Sequence, residues 1–179
     1  MKRRTALAAL GCIALLLSGC GSEHSTPPAG PYSVVEVFDG DSFNLRAANG
    51  KTVRVRVAGI DAPERSQPFS NKAKESLISL LASGDIALEP IKVDKYERWI
   101  ANVSVGGNDV GLAQLTRGYA WFFVRYRNDL SEGMQTAYAQ AERDARAARA
   151  GLWAGLNAKG NPNLYPESPW DFRQKKKDR

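Results

Sequence analysis

Histidine and cysteine are scarce in this chain, and their scarcity argues against several kinds of reactive site. The sequence has one histidine, His24, and two cysteines, Cys12 and Cys20. Cys12 falls in an apolar leader that we expect to be removed, which leaves no pair for a disulfide. Since His24 lies in a stretch rich in serine, glycine and proline, zinc–histidine sites and Ser–His catalysis are disfavoured too. Chemistry must therefore come from carboxylates and basic side chains.

The leader also lacks the length of an ordinary membrane-spanning helix. Its apolar segment, residues 5–17, follows a basic cluster at residues 2–4, which is typical of an export signal. The segment ends in Leu17-Ser18-Gly19-Cys20, which resembles the lipobox of bacterial lipoproteins. We therefore expect residues 1–19 to be a signal peptide and Cys20 to carry lipid, with an ordinary secretory signal as the alternative. The expected location is the cell envelope, at the outer membrane if the cell is Gram-negative.

The formal net charge of +6 is modest once its location is considered. Three of the basic residues lie at positions 2–4, in the predicted signal, and several more lie in the segment 173–179. The body is therefore close to neutral, and charge alone indicates nucleic acid only weakly. We predict a flexible linker over residues 20–31 and an extended basic tail over residues 155–179, either solvated or acting as a nucleic-acid clamp.

Hydrophobic periodicity divides residues 32–154 into the strands and helices of one domain. In the clearest strand, valine alternates with Arg54 and Arg56 after an Asn49-Gly50 turn signal. Strand patterns occur at residues 32–38, 43–47, 51–57, 86–93 and 99–105, and helical patterns at 68–82, 108–117 and 131–150. This order predicts an α+β fold, mainly β, in which a small closed barrel of five strands packs against about three helices. We expect a monomer.

Charged residues gather at three turns of this predicted fold. The first turn is Asp39-Gly40-Asp41-Ser42, between the first two strands. The second segment, RVAGIDAPE at residues 56–64, leaves Asp61 and Glu64 on a turn, and the third, DKYER at residues 94–98, separates the last two strands. Carboxylates and arginines gathered in this way favour a hard cation beside a phosphate group.

These three segments, in this order, resemble the thermonuclease family, the staphylococcal-nuclease-like phosphodiesterases. The resemblance runs from about residue 34 to residue 153. It implies that the barrel is an OB-fold and that the protein is a Ca²⁺-dependent endonuclease. Such an enzyme hydrolyses DNA and RNA with little base selectivity and leaves 3′-phosphate ends.

The resemblance assigns the carboxylates to a metal and a water. Asp41 and Asp61 match the Ca²⁺ ligands, joined by the main-chain oxygen of Ala62. Ala62 stands where some members have threonine, which leaves that ligand intact. Glu64 matches the residue assigned as general base towards the attacking water. Asp39 is expected to lie next to the metal ligands, where it shapes the turn and adds negative potential, or else to be a simple turn residue.

The resemblance also assigns phosphate and nucleotide contacts. Arg56 and Arg98 match the two phosphate-binding arginines, whose planar guanidiniums can each hold two oxygens. Arg54 shares the strand face of Arg56 but has no family counterpart, so we predict it to be merely solvated. Lys95 and Tyr126 are expected to contact the substrate. The aromatic residues just before Tyr126, Trp121-Phe122-Phe123, are predicted to be core.

One departure from the family and two rival functions remain open. Glu97 stands where the family has a glycine, and its charge either weakens phosphate binding at Arg98 or points outward. A module of this fold could bind nucleic acid without cutting it. The chain could also be a structural envelope lipoprotein, in which case Glu64→Gln and Arg98→Ala would change nothing measurable.

Overall fold

A computed structural model describes residues 26–155 and 166–178. The predicted signal, Cys20 and the first half of the linker lie outside these ranges, so their assignments stay predictions. Within the two described ranges, no helix combines the length and apolar character needed to cross a bilayer. The elements are β1 Ser33–Val37, β2 Ser42–Arg46, β3 Thr52–Val57, β4 Ile60–Asp61, α1 Ser70–Leu81, β5 Ile86–Val93, β6 Trp99–Val105, β7 Asn108–Asp109, α2 Val110–Thr116, β8 Trp121–Phe122, the 3-10 helix η1 Val124–Asp129, α3 Glu132–Ala147, the 3-10 helix η2 Gly151–Gly155 and α4 Pro169–Lys177.

The five long strands form one sheet in the order β1-β2-β3-β6-β5. The strands β1, β2 and β3 pair antiparallel with their chain neighbours, and β5 pairs antiparallel with β6. The central contact is the parallel pair β3–β6, which sets Arg56 opposite Ile100. A short β7 pairs antiparallel with the end of β6, and β4 pairs with β8 in a separate two-stranded sheet. The strand-rich α+β architecture agrees with the predicted OB-type fold.

The alternation in β3 sets the direction of the arginines. Val53, Val55 and Val57 point into the core and are almost fully buried, at 2%, 0% and 1% exposure. Burying a valine side chain contributes on the order of 1.5–3 kcal/mol, so this face is firmly fixed in the core. Arg54 and Arg56 are thereby held on the opposite face of the strand.

The three predicted helices are present as α1, α2 and α3. Ser131 is the N-cap of α3, since its hydroxyl accepts a hydrogen bond from the Met134 amide at 3.3 Å. Gly118 follows α2 with φ +72°, and a Cβ there would lie 2.3 Å from the Ala150 carbonyl oxygen. A glycine is therefore required where the chain ends of α2 and α3 meet.

The prediction of an extended tail is wrong for the described part of the C-terminus, where Pro169–Lys177 forms α4. The Ser168 hydroxyl caps the helix by accepting a hydrogen bond from the Asp171 amide at 3.1 Å. Pro169 occupies the first turn, and three lysines end the helix, where they complement the helix dipole. The capping residues Ser168 and Pro169 are visible in the sequence, but the basic composition of residues 173–179 favoured an extended tail.

Candidate active site

A cleft of about 690 Å³ opens between the turn after β3, the β5–β6 turn, η1 and α4. Every predicted metal, catalytic or substrate residue that lies in the described ranges lines this cleft. They are Asp41, Arg56, Asp61, Ala62, Glu64, Lys95, Arg98 and Tyr126. Residues more than eighty positions apart in the chain are thus brought to one place. Arg54 does not line the cleft; it is exposed and stacks over the Phe38 ring at 5.1 Å.

The floor of the cleft consists of two buried aspartates on one arginine. Asp41 and Asp61 are 5% and 2% exposed. The Nη2 atom of Arg56 lies 2.8 Å from Oδ1 of Asp61 and 3.4 Å from Oδ2 of Asp41, while its Nη1 donates to the Ile60 carbonyl at 2.9 Å. The Ala62 amide donates to Oδ2 of Asp41 at 2.8 Å. The segments 39–42 and 56–64 are therefore joined through their charged groups.

A buried glutamine that sequence reasoning missed holds the first turn in place. Gln114 of α2 is 0% exposed, and its Nε2 donates to the carbonyls of Gly40 at 2.7 Å and Ala73 at 3.0 Å. A Cβ on Gly40 would lie 2.6 Å from the Ala73 side chain, so α1 packs directly on the turn. The position of Asp41 is thus fixed by α1 and α2, and only a three-dimensional structure reveals that link.

The floor concentrates negative charge in a poorly solvated place. Burial raises the pKa of Asp39 to about 7, with the neighbouring Asp41 charge adding to the rise. Burial likewise raises the pKa of Asp61 to about 6, reinforced by Asp41 and opposed by the hydrogen bond from Arg173. Burial works against the charge of Arg56, but the aspartates outweigh it and its pKa is raised. Crowded carboxylates of this kind gain stability from a cation.

Glu64 is the most accessible carboxylate of the second motif. Its side chain is 38% exposed, against 3% for Asp61. Its amide donates to Oε1 of Gln67 at 2.9 Å, which fixes the turn after Pro63. A partly exposed carboxylate on a fixed backbone is suited to accept a proton from water at the cleft surface.

Arg98 also lines the cleft and is oriented by its own turn. Asp94 accepts from Nε of Arg98 at 2.8 Å and lies 2.7 Å from its Nη2. Although burial opposes it, this contact together with backbone hydrogen bonds holds the pKa of Asp94 below its usual value. Glu97 has φ +60°, the region that suits the family's glycine, and it is exposed and does not line the cleft. The Glu97 charge therefore points outward.

The aromatic residues divide between the core and the cleft. Trp121 is buried against Trp153 with ring centroids 5.6 Å apart, and Phe122 packs edge-on against Tyr138 at 6.2 Å. Phe123 differs from the core prediction, since it lines the cleft with the Arg56 guanidinium 5.8 Å from its ring. The strand β8 ends at Phe122, and the chain turns so that Phe123 faces the cleft.

The exposed rings in the cleft carry positive charge close by. Tyr96 and Tyr126 are 59% and 46% exposed. Lys95 lies 5.0 Å from the Tyr96 ring centroid and Lys92 lies 5.4 Å from that of Tyr126. A flat ring beside an ammonium group can stack a base and contact its phosphate.

A third arginine enters the site from α4. Arg173 donates from Nη2 to Oδ2 of Asp61 at 2.8 Å and from Nη1 to Oε1 of Glu64 at 2.7 Å. A further contact joins Nη1 to Oδ1 of Asp61 at 3.2 Å. Burial opposes the charge of Arg173, yet Asp61 and Glu64 outweigh it and raise its pKa. The basic composition of the tail gave no sign that this residue reaches the site.

The donor groups suit a hard cation, although guanidiniums hold them in the present arrangement. Across residues 26–155 and 166–178, no three His, Cys, Asp or Glu residues are grouped as a metal site. Asp41 and Asp61 nevertheless meet at one Arg56 nitrogen, and their carboxylates offer only oxygen atoms as metal ligands. Buried carboxylate oxygens fit Ca²⁺ and disfavour softer metals.

Comparison with known proteins identifies the family. A family model described as "Staphylococcal nuclease homologue" matches residues 54–155. The chain belongs to this family. The predicted resemblance is thereby confirmed, and membership identifies the chain as a hydrolytic nuclease of the thermonuclease type.

Relatives from bacteria match this family member over most of their length. A protein of Haemophilus influenzae named "Uncharacterized endonuclease" is 32% identical over 177 residues, 99% of this chain and 89% of that protein. A "Micrococcal nuclease" of Shigella flexneri is 30% identical over 154 residues, 81% of each chain. The Arabidopsis thaliana "Staphylococcal-like nuclease CAN1" is 29% identical over 154 residues, which are 86% of this chain but only 42% of the plant protein.

Proposed function

We propose that the cleft is a Ca²⁺-dependent phosphodiesterase site that hydrolyses DNA and RNA and leaves 3′-phosphate ends. The observation that carries the proposal is the convergence of Asp41, Asp61 and Glu64 with Arg56 and Arg98 in one cleft. The bacterial relatives, one named an endonuclease and the other a micrococcal nuclease, support nuclease chemistry. Product polarity follows from the resemblance to the family.

Arg56 and Arg98 supply fixed positive charge in the cleft. Arg56 is held by Asp41, Asp61 and a backbone carbonyl, and Arg98 is held by Asp94. Phosphodiester hydrolysis builds negative charge on the phosphate oxygens in the transition state. Guanidiniums that are oriented before the substrate arrives stabilise that charge without the cost of reorganisation.

The carboxylates divide into two roles. Asp41 and Asp61, with the carbonyl of Ala62, would hold the Ca²⁺ ion, which when bound supplies Lewis-acid stabilisation of a phosphate oxygen and orders water. Glu64 accepts the proton of the attacking water, because it is the accessible carboxylate of this turn.

Substrate contacts extend from the phosphate site along the exposed rings. Tyr96 and Tyr126 present faces on which bases stack, and Lys95 contacts a flanking phosphate. Stacking recognises any base, so we propose little sequence selectivity and use of both DNA and RNA. A single strand suits this surface because its bases are free to leave their neighbours.

We propose that the enzyme works at the cell envelope as a monomer. Lipid on Cys20 would anchor it, and the linker over residues 20–31 would separate the anchor from the catalytic domain. The sequence of the lipobox supports this location. Mass spectrometry of the membrane fraction tests it: a diacylglyceryl mass on a peptide beginning at Cys20 is expected, and an unmodified thiol would contradict it.

A cleavage assay with a chelator arm tests the catalytic proposal. We expect the purified protein to degrade single-stranded DNA and RNA in millimolar Ca²⁺, to stop on chelation, and to yield ends that a phosphatase acting on 3′-phosphates modifies. Intact nucleic acid across neutral to alkaline pH would overturn the proposal. Retention of nucleic acid without cleavage, unaffected by chelator, would instead indicate a binding module.

A further inference from the structure

The helix α4 lies beyond the part of the chain that the family model matches, yet it reaches the centre of the cleft. The match ends at residue 155, and α4 begins at Pro169. Its Arg173 contacts both oxygens of Asp61 and one oxygen of Glu64, at 2.7–3.2 Å. Asp61 is a carboxylate assigned to the ion, and Glu64 is the carboxylate assigned to the attacking water.

Contacts N-terminal to Arg173 show how α4 is seated. Upstream, the Arg125 guanidinium stacks over the Trp170 ring at 4.0 Å, and Trp170 lies 6.2 Å from the Phe123 ring. Before the helix, Nε2 of Gln67 donates to the Glu167 carbonyl at 2.9 Å. Gln67 is 7% exposed and also accepts from the Glu64 amide. The position of Arg173 is therefore supported from the body of the domain.

A guanidinium and a divalent ion compete for the same lone pairs. In this arrangement Oδ1 of Asp61 accepts from Arg56 and Arg173, and Oδ2 accepts from Arg173. An ion at Asp61 needs an oxygen with a free direction, and it repels a fixed positive charge beside it. An ion at Asp61 therefore competes with Arg173 for this carboxylate. Arg56 lies deeper, at 13% side-chain exposure against 33% for Arg173, and has backbone partners that keep it in place.

We propose that Arg173 is a built-in competitor of the metal ion, so that α4 caps the catalytic carboxylates and is released when the ion binds. This inference rests on the proposed Ca²⁺ site. The capped arrangement has Arg173 on Asp61 and Glu64, and the open arrangement leaves those oxygens to the ion and to water. Because the two cations exclude each other, the stability of the cap lowers the affinity for Ca²⁺ by the same factor.

The device also withholds the general base. Glu64 shares Nη1 of Arg173 with Asp61, so its Oε1 lone pair is occupied while the helix is docked. Binding of the ion frees both carboxylates in one movement. Such an enzyme is inactive at low Ca²⁺ for two reasons. The ion is absent, and the Glu64 carboxylate is paired with Arg173.

Ca²⁺ titration without substrate tests the proposal directly. Isothermal titration calorimetry compares the purified full chain, in detergent, with Arg173→Gln and with Lys176→Gln, an exposed lysine of the same helix. We expect Arg173→Gln to bind Ca²⁺ at least tenfold more tightly than the wild type, and Lys176→Gln to stay within twofold. Equal dissociation constants for wild type and Arg173→Gln would overturn the competition and leave the metal site standing. Absence of Ca²⁺ binding in all three proteins would overturn the metal assignment and this inference together.

Two further measurements guard against a role limited to folding. Trp170→Ala removes a support of α4 without touching the carboxylates, so it should also tighten Ca²⁺ binding. Hydrogen exchange of the wild type should show faster amide exchange in residues 169–177 when Ca²⁺ is added. Unchanged exchange there, or weaker binding by Trp170→Ala, would contradict release of the helix.

Discussion

Two arginines hold the same aspartate in different ways. Arg56 comes from a strand whose other face is core, and its guanidinium contacts Asp61, Asp41 and a main-chain carbonyl. Arg173 comes from a nine-residue helix and contacts Asp61 and Glu64 from the open side of the cleft. A side chain on a packed strand keeps its position, whereas a side chain on a peripheral helix can leave the site when the helix moves. A charge of the same kind can therefore be part of the catalytic floor or a removable cap.

Removal of the buried arginine should have the largest effect. Arg56→Ala leaves Asp41 and Asp61 without the guanidinium that both contact, so we expect about 3–5 kcal/mol lower stability. Turnover should fall by about 10²–10³-fold or more, because one transition-state donor is lost. Urea unfolding and single-turnover cleavage measure the two effects. Arg54→Ala, on the same face of β3, is the matched control and should change stability by less than about 0.5 kcal/mol.

Removal of Arg98 should lower activity strongly and stability only slightly. Arg98→Ala should lower kcat by about 10²–10³-fold. Its side chain is 20% exposed and pairs with Asp94 in the same turn, so the free energy of unfolding should change by about 1 kcal/mol or less. Steady-state kinetics at saturating Ca²⁺ beside a denaturation curve gives both quantities. Near-normal turnover would contradict the role of Arg98 in phosphate binding.

Loss of the buried glutamine should weaken the floor indirectly. Gln114→Ala removes the buried donor that holds the Gly40 carbonyl, and a buried acceptor left without a partner costs about 1–3 kcal/mol. Ca²⁺ affinity should fall as well, because the turn that carries Asp41 is less fixed. Thermal unfolding and calorimetry are the measurements. Full stability in this variant would show that Gln114 does not fix the turn.

Deletion of α4 should lower the stability of the domain only slightly. A chain that stops before Pro169 loses an exposed cation–π contact and partly exposed ion pairs, which together contribute about 1–2 kcal/mol. Circular dichroism melting should show a cooperative transition only slightly lower than that of the full chain. A loss as large as that of Arg56→Ala would mean that α4 belongs to the core, which would remove the contrast between the two arginines.

The five long strands and the first three helices could be predicted because they depend on local patterns, and the cleft residues could be predicted because their three segments resemble the family. The alternation in β3 fixes the direction of Arg56, and helical spacing with a terminal glycine marks α3. Arg173 could not be found in this way, since its contact with Glu64 joins residues 109 positions apart. Gln114 was equally hidden, because helical periodicity does not reveal that one polar residue of α2 is buried.

Phe123 shows a smaller failure with a clear cause. The sequence places three consecutive aromatic residues in one apolar run, which favours a core assignment for all of them. The strand β8 ends after Phe122, and the Phe123 amide donates to the Gly59 carbonyl at 2.8 Å, so the chain turns toward the cleft there. The sequence shows which residues are aromatic, but the end of the strand determines whether each ring lies in the core or in the cleft.

The amide side chain of Gln67 has a mechanical consequence. Its oxygen accepts from the Glu64 backbone, and its nitrogen donates to the carbonyl of Glu167, just before α4. A pull on the C-terminal helix is therefore transmitted through one planar group to the peptide that carries the proton acceptor. A displacement of that helix would therefore also loosen the placement of Glu64, so the position of the proposed base depends on the docking of α4.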